Sequence, residues 1–125
     1  MNPGWKGTAI LGGLLGLSGV ILAALGSHAI PGMGEAETYR SWQNASLIHL
    51  VHAPVLLALA ALARNNTSLL VRYAGSLIFL GIVMFSGSIY VMVAFGLEGT
   101  GNLAPAGGLV IMAGWLLAVI GFFRS

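Results

Sequence analysis

The sequence predicts an all-α membrane protein, with four transmembrane helices in an up-down bundle that forms one domain over residues 1–125. Three observations predict it. The chain is 58% hydrophobic and only 6% charged, with a mean hydropathy of +0.95, whereas an ordinary soluble domain is about 25% charged. Four apolar segments, at about 7–28, 42–63, 69–96 and 105–123, are each long enough to cross a hydrocarbon core as a helix. The charged residues gather at or near the ends of those segments. The spans use nearly the whole chain and leave no room for a soluble catalytic domain. The absence of cysteine excludes disulfides, thiolate metal sites and cysteine nucleophiles. Five Lys+Arg against three Asp+Glu is too small a surplus to indicate nucleic acid.

The first span (7–28) carries Gly12, Gly16, Gly19, Ala23 and Gly26 at spacings of 4, 3, 4 and 3. They fall on one helical stripe, and a stripe of small residues lets another helix approach closely. In the loop 29–41, Pro31, Gly32 and Gly34 break helix, while Glu35, Glu37 and Arg40 seek water. Thr38 or Ser41 is the expected N-cap of the second span.

The second span (42–63) places Trp42, Ala45, His49, His52 and Leu56 on one stripe. It is the most polar stripe of this span, so it is expected to face the bundle interior. Pro54 removes one backbone hydrogen bond and predicts a kink near the histidines. A polar turn at 64–68 leads to the third span (69–96), which is long enough to tilt. Near its start Arg72 can snorkel to the interface. At its centre Ser86 and Tyr90 share a face, Ser88 adds a further hydroxyl, and Gly87 leaves room for a neighbour. The expected interhelical pair is His52 with Ser86 or Tyr90. After the loop 97–104, Pro105 suits the first turn of the fourth span. Pro105, Gly108, Met112 and Trp115 line one face of that span.

Four spans put both termini on one side. That side carries Lys6, Arg64, Arg72 and Arg124, against Arg40 with Glu35, Glu37 and Glu98 opposite. The positive-inside rule therefore predicts cytoplasmic termini. The start lacks the Arg-rich, Ser-rich pattern of a transit peptide, which favours a bacterial inner membrane over a mitochondrial one. By helix rise, the unusual residues converge on the outer half of the bundle.

These residues also carry a resemblance. The stretch 22–29, LAALGSHA, resembles the LGAFGAH pattern that closes the first span in a family of small membrane proteins. That family is typified by bacterial YgdD and the eukaryotic transmembrane protein 256, and is a domain of unknown function. Residues 42–53 resemble its W-x-T-A-x-x-Y-Q-x-x-H-A pattern, and 85–90, FSGSIY, its FSGSLY. Pro105 to Gly108 followed by Ala113-Gly114-Trp115 resembles its TPxGG…AGW. Order and spacing fit across about the whole chain. His28 and His52 match the family's histidines and Asn44-Ala45 its Asn/Thr-Ala, whereas its Tyr-Gln pair becomes Ile48-His49 here. The resemblance implies a four-helix membrane fold and no established activity.

Function classes follow from the polar residues. His28, Trp42, His49, His52, Ser86, Ser88 and Tyr90 are expected to form an inter-helix polar layer that sets the register of the bundle. No Asp occurs and all three Glu lie in loops, so no carboxylate stands by to orient a histidine base, and catalysis is not expected. The expected role is non-enzymatic: an accessory, assembly or stabilising subunit that packs against a larger membrane complex. Its surroundings are the lipid bilayer, with that complex or a homo-oligomer as partner, and no nucleic acid. No cofactor or metal is expected. The alternatives are a small oligomeric transporter or proton pathway along the histidine layer, or a haem- or metal-binding bundle using His28, His49 and His52. His49 and His52 share a helix face and cannot be the two axial ligands of one flat haem.

Overall fold

In hydrocarbon a backbone N–H or C=O finds no water, so an apolar segment satisfies these groups by coiling into a helix. The computed structural model describes residues 4–28, 36–65 and 68–124. Its helices are α1 (Gly4–His28) and α2 (Ala36–Ala63), then a third span built from α3 (Leu69–Ile82), a π-helical turn (Val83–Gly87) and α4 (Ser88–Phe95). Gly96, left-handed at φ 68°, closes α4 as a helix-ending glycine. A 3-10 helix (Glu98–Leu103) then leads into α5 (Ala104–Phe123), with Pro105 in its first turn. Four helices are thus long and apolar enough to cross a membrane, and no strand occurs among the described residues. The fold is the all-α membrane class predicted from the sequence.

Local details differ from the sequence reading. Neither Thr38 nor Ser41 caps α2, because the helix begins at Ala36. Ser41 instead donates back to the Glu37 carbonyl one turn earlier (3.1 Å), a bond that a serine inside a helix makes readily. Helix α2 runs unbroken through Pro54. Much of the loop expected at 97–104 is helical, tightened by Thr100, whose N–H and hydroxyl both donate to the Leu97 carbonyl (3.1 and 2.7 Å). The π-helical turn was not anticipated. Pro31, Gly32, Gly34 and Glu35 lie outside the described residues.

The bundle is two hairpins, each closed by small residues. In the first, Gly12, Gly19 and Gly26 are buried against α2, while Gly16 and Ala23 are half-buried beside them. A Cβ on Gly19 would stand 2.6 Å from Leu50 Cδ2, and one on Gly26 would collide with the Trp42 indole. In the second, α5 buries Gly107, Ile111, Gly114, Ala118 and Gly121, again at spacings of 4, 3, 4 and 3. A Cβ on Gly107 would run into the Phe85 backbone and stand 2.9 Å from the Gly81 carbonyl oxygen. The face bearing Pro105, Gly108, Met112 and Trp115 is the outward one, with Met112 63% exposed, because the glycine stripe allows the closer backbone approach.

The hairpins meet chiefly through α2 against α3 and α4, whereas α1 leans on α2 and only grazes α3. Two core clusters stack along the axis. Near the terminal end Leu15, Leu56, Leu59, Val71, Ile78 and Ile82 interlock. Nearer the α1–α2 connection, Trp42, Ala45, Ile89 and Tyr90 form the second cluster. The polar layer joins the two: Trp42 and Tyr90 belong to the second cluster, and His49 and His52 follow along α2 towards Leu56 of the first.

Candidate functional site

Helix α2 presents Trp42, Ala45, Ser46, His49 and His52 inward, all buried. His49 touches two neighbours. Its Nδ1 is 3.0 Å from the Tyr90 hydroxyl of α4, and its Nε2 is 3.0 Å from Ser18 Oγ of α1. Tyr90 also reaches Ser46 Oγ, at 3.5 Å. Both partners of His49 are hydroxyls, which donate or accept as the tautomer requires, and a ring nitrogen's role is set only where its partner can act in one direction.

The same logic applies to His52. The Ile48 carbonyl can only accept, so His52 Nδ1–H donates to it (2.8 Å), and Nε2 accepts the Trp115 indole N–H of α5 (3.1 Å). This bond requires the neutral ring. Trp115 is 45% exposed to the bundle surroundings but turns its N–H inward. Trp42 Nε1–H donates to the Leu22 carbonyl of α1 (2.8 Å), and Ser86 Oγ–H to the Ala45 carbonyl (2.8 Å). Tyr90 also packs its ring on Trp42, with centroids 4.8 Å apart.

Not all the expected layer comes together. His28 is exposed at the end of α1, away from the buried histidines, because α1 runs past the layer before it ends. Ser88 is buried but donates to the Phe85 carbonyl of its own span (2.9 Å), so it ties no second helix. The expected pairing of His52 with Ser86 or Tyr90 is also corrected. Tyr90 belongs to His49, Ser86 to a backbone carbonyl, and His52 to Trp115. Three participants were missed from the sequence: Ser18, Ser46, and Trp115 as a donor. Ser46 stands four residues after Trp42 and three before His49, a spacing that places it near both. Ser18 had no comparable signal.

Two hollows flank the layer. A cleft of about 410 Å³ opens sideways between α1 and the third span, walled by Leu14, Leu17, Phe79, Val83 and Gly87. At its floor are Ser18, His49, Ser86 and Tyr90. A second hollow of about 420 Å³ lies between α1 and α2 near their connection, with Gly26, Ser27, Gln43 and Ser46 in its wall.

The chemistry of the layer is limited by its bonding. The protons of Ser86 and Ser88 are held by backbone carbonyls, so neither hydroxyl is presented to a histidine as a nucleophile. Glu37 and Glu98 are exposed at helix ends, remote from the layer. Among the described residues no group of three His, Cys, Asp or Glu could hold a metal ion.

Comparisons with known proteins agree with this architecture. Residues 22–108 match the family model DUF423, described as a protein of unknown function. A UPF0382 membrane protein of Staphylococcus saprophyticus is 35% identical over 115 residues, covering 92% of this chain and 95% of that protein. The UPF0382 membrane protein YwdK of Bacillus subtilis is 33% identical over 112 residues, covering 89% of this chain and 91% of its own length. No solved structure matches. The matched region runs from the Trp42 anchor at Leu22 through His49, His52, Ser86 and Tyr90 to the first glycines of α5, and the relatives bear membrane-protein names, as four spanning helices require. The chain belongs to DUF423, a family of unknown function, and is a multi-pass membrane protein.

Proposed function

We propose that this protein is a non-enzymatic accessory subunit that assembles with a larger membrane complex and stabilises it. The observation that carries the reading is the inward engagement of the polar layer. Both nitrogens of His49 and of His52 have partners within the chain, as do Trp42, Ser86 and Tyr90. What remains for function is the outer surface. The stripe Gly12, Gly16, Gly19, Ala23 and Gly26 does not serve a partner, since α2 occupies it. The partner surface therefore falls to the outward faces of the peripheral helices, such as Ile10 and Val20 on α1 and Leu109 and Leu116 on α5.

The other readings have less support. Leu56, Val71, Ile78 and Ile82 fill the terminal half of the interior with apolar atoms, which counts against a proton or solute path through one chain. Haem ligation by His49 or His52 would have to displace Ser18 or Trp115, and His28 stands apart from both. The charge pattern supports cytoplasmic termini. At the terminal end the Arg64 guanidinium lies 5.3 Å over the Trp5 ring, and Arg72 lies against Gly4.

Site-specific photocrosslinking in living membranes tests the assignment. A photoreactive residue at Leu116 or Ile10 is expected to give a discrete adduct with a different protein. Adducts with lipid alone, or only with other copies of this chain, would contradict the reading.

A further inference from the structure

We propose that the terminal end of the bundle binds an anionic phospholipid, its phosphodiester held by Arg72 and Arg64 at the first turn of α1. This goes beyond the accessory role and does not rest on it.

Two guanidiniums reach the start of α1 from different helices. Arg72 of α3 lays its head against Gly4, where a Cβ would collide with Nη2, Cζ and Nε. Gly4 is thus the notch that lets the side chain down onto α1. Arg64, directly after α2, places its guanidinium 5.3 Å over the ring of Trp5, the next residue of α1. Arg64 stands where a cation is favoured, at a helix C-terminus. Arg72 does not. It is the fourth residue of α3, and its head lies on the first turn of α1. It therefore sits at the positive ends of two helix dipoles, which repel a cation.

No acidic side chain of the chain offsets this charge. There are three, Glu35, Glu37 and Glu98. Glu37 is about 40 Å along α2 from Arg64, and Glu35 precedes it in sequence by two residues. Glu98 follows the far end of the third span from Arg72. Trp5 adds a donor in want of an acceptor. Its Nε1–H is buried and has no hydrogen-bond partner among the described residues. Donors and positive charge thus gather at one place, and an anion supplies what they lack.

The level of the site identifies the anion. Both arginines stand at the ends of their spans, where a bilayer presents its phosphates. A phosphodiester offers two oxygens to a guanidinium fork. A zwitterionic head would bring its own ammonium into a region already rich in cations. The site therefore selects a head such as glycerol, which leaves the phosphate its net charge.

The test uses the full chain in a non-ionic detergent, titrated with phosphatidylglycerol or with phosphatidylcholine of the same acyl chains. Native mass spectrometry counts the lipid retained. Phosphatidylglycerol is expected to be retained in preference. Arg72→Gln and Arg64→Gln should each weaken its binding about fivefold, the effect of one cation near a membrane surface. Arg40→Gln, at the opposite end of α2, should leave it unchanged. Gly4→Val keeps every charge but pushes the flexible end of Arg72 off α1, so it should weaken binding as Arg72→Gln does. Inorganic phosphate should not displace the lipid at equal concentration. Equal retention of the two lipids would overturn the site, as would equal losses in Arg40→Gln and Arg72→Gln, or unchanged binding in Gly4→Val. Displacement by inorganic phosphate would make the ligand a soluble anion and overturn the lipid.

Discussion

His49 is where three helices meet, since one imidazole links Ser18 of α1 to Tyr90 of α4. Its prominence was legible in the sequence, because an ionisable side chain in an apolar run is rare. Its partners were not. Which hydroxyl faces a histidine depends on the rotation of two helices about their own axes, and the spacing within one helix does not encode that. The same gap explains why His52 was assigned to Ser86 or Tyr90 when its partner is Trp115, whose indole was read only as part of a face. The bonds imply a ranking. Trp115→Phe keeps an aromatic ring at the site, though a smaller one, and removes the indole donor, and should lower stability by about 0.6–1.7 kcal/mol, the range for interhelical bonds in membranes. Tyr90→Phe should cost more, about 1–3 kcal/mol, because it leaves the buried His49 Nδ1 without a hydrogen-bond partner. Unfolding of each variant in mixed micelles measures both values. Equal losses, or no loss, would mean that the bonds do not carry the layer.

At the scale of elements, backbone contact through glycine holds each hairpin together. The stripe of α1 was legible from its spacing. The identical spacing in α5, from Gly107 to Gly121, went unread because the neighbouring stripe contains the conspicuous Pro105, Met112 and Trp115. Small residues attract less notice than large ones, yet in a bilayer they set the contact face, since lipid solvates a large apolar side chain as well as protein does. Gly107→Ala is therefore expected to destabilise the α3–α5 hairpin by about 1–3 kcal/mol, the usual cost of overpacking, because its Cβ meets backbone, which cannot rotate away. Gly13→Ala, with nothing within 4 Å of the new Cβ, should be neutral or slightly stabilising. Thermal aggregation of the two variants side by side separates them. The π-helical turn had no signal in the pattern of 83–87, where apolar and small residues suit an α-helix equally well.

For the whole molecule, composition and hydropathy were enough to indicate four membrane helices, because the bilayer allows apolar segments of that length few other structures. The pairing into two hairpins, tight within and looser between, depends on which helix faces meet, which hydropathy does not encode. Orientation rests on charge: a C-terminal alkaline phosphatase fusion at Ser125 should be inactive in a bacterial host, and an active one would reverse the topology. The central claim is that the inward polar groups maintain the bundle while the outward faces of α1 and α5 meet another protein. Native mass spectrometry of the tagged full chain, released gently from its own membranes, tests it most directly. The expected result is a mass well above that of the chain, containing a second polypeptide that is lost when Leu109 and Leu116 are replaced by Trp. Release as a monomer or a homo-oligomer, with no other polypeptide at any detergent concentration that preserves the bundle, would contradict it.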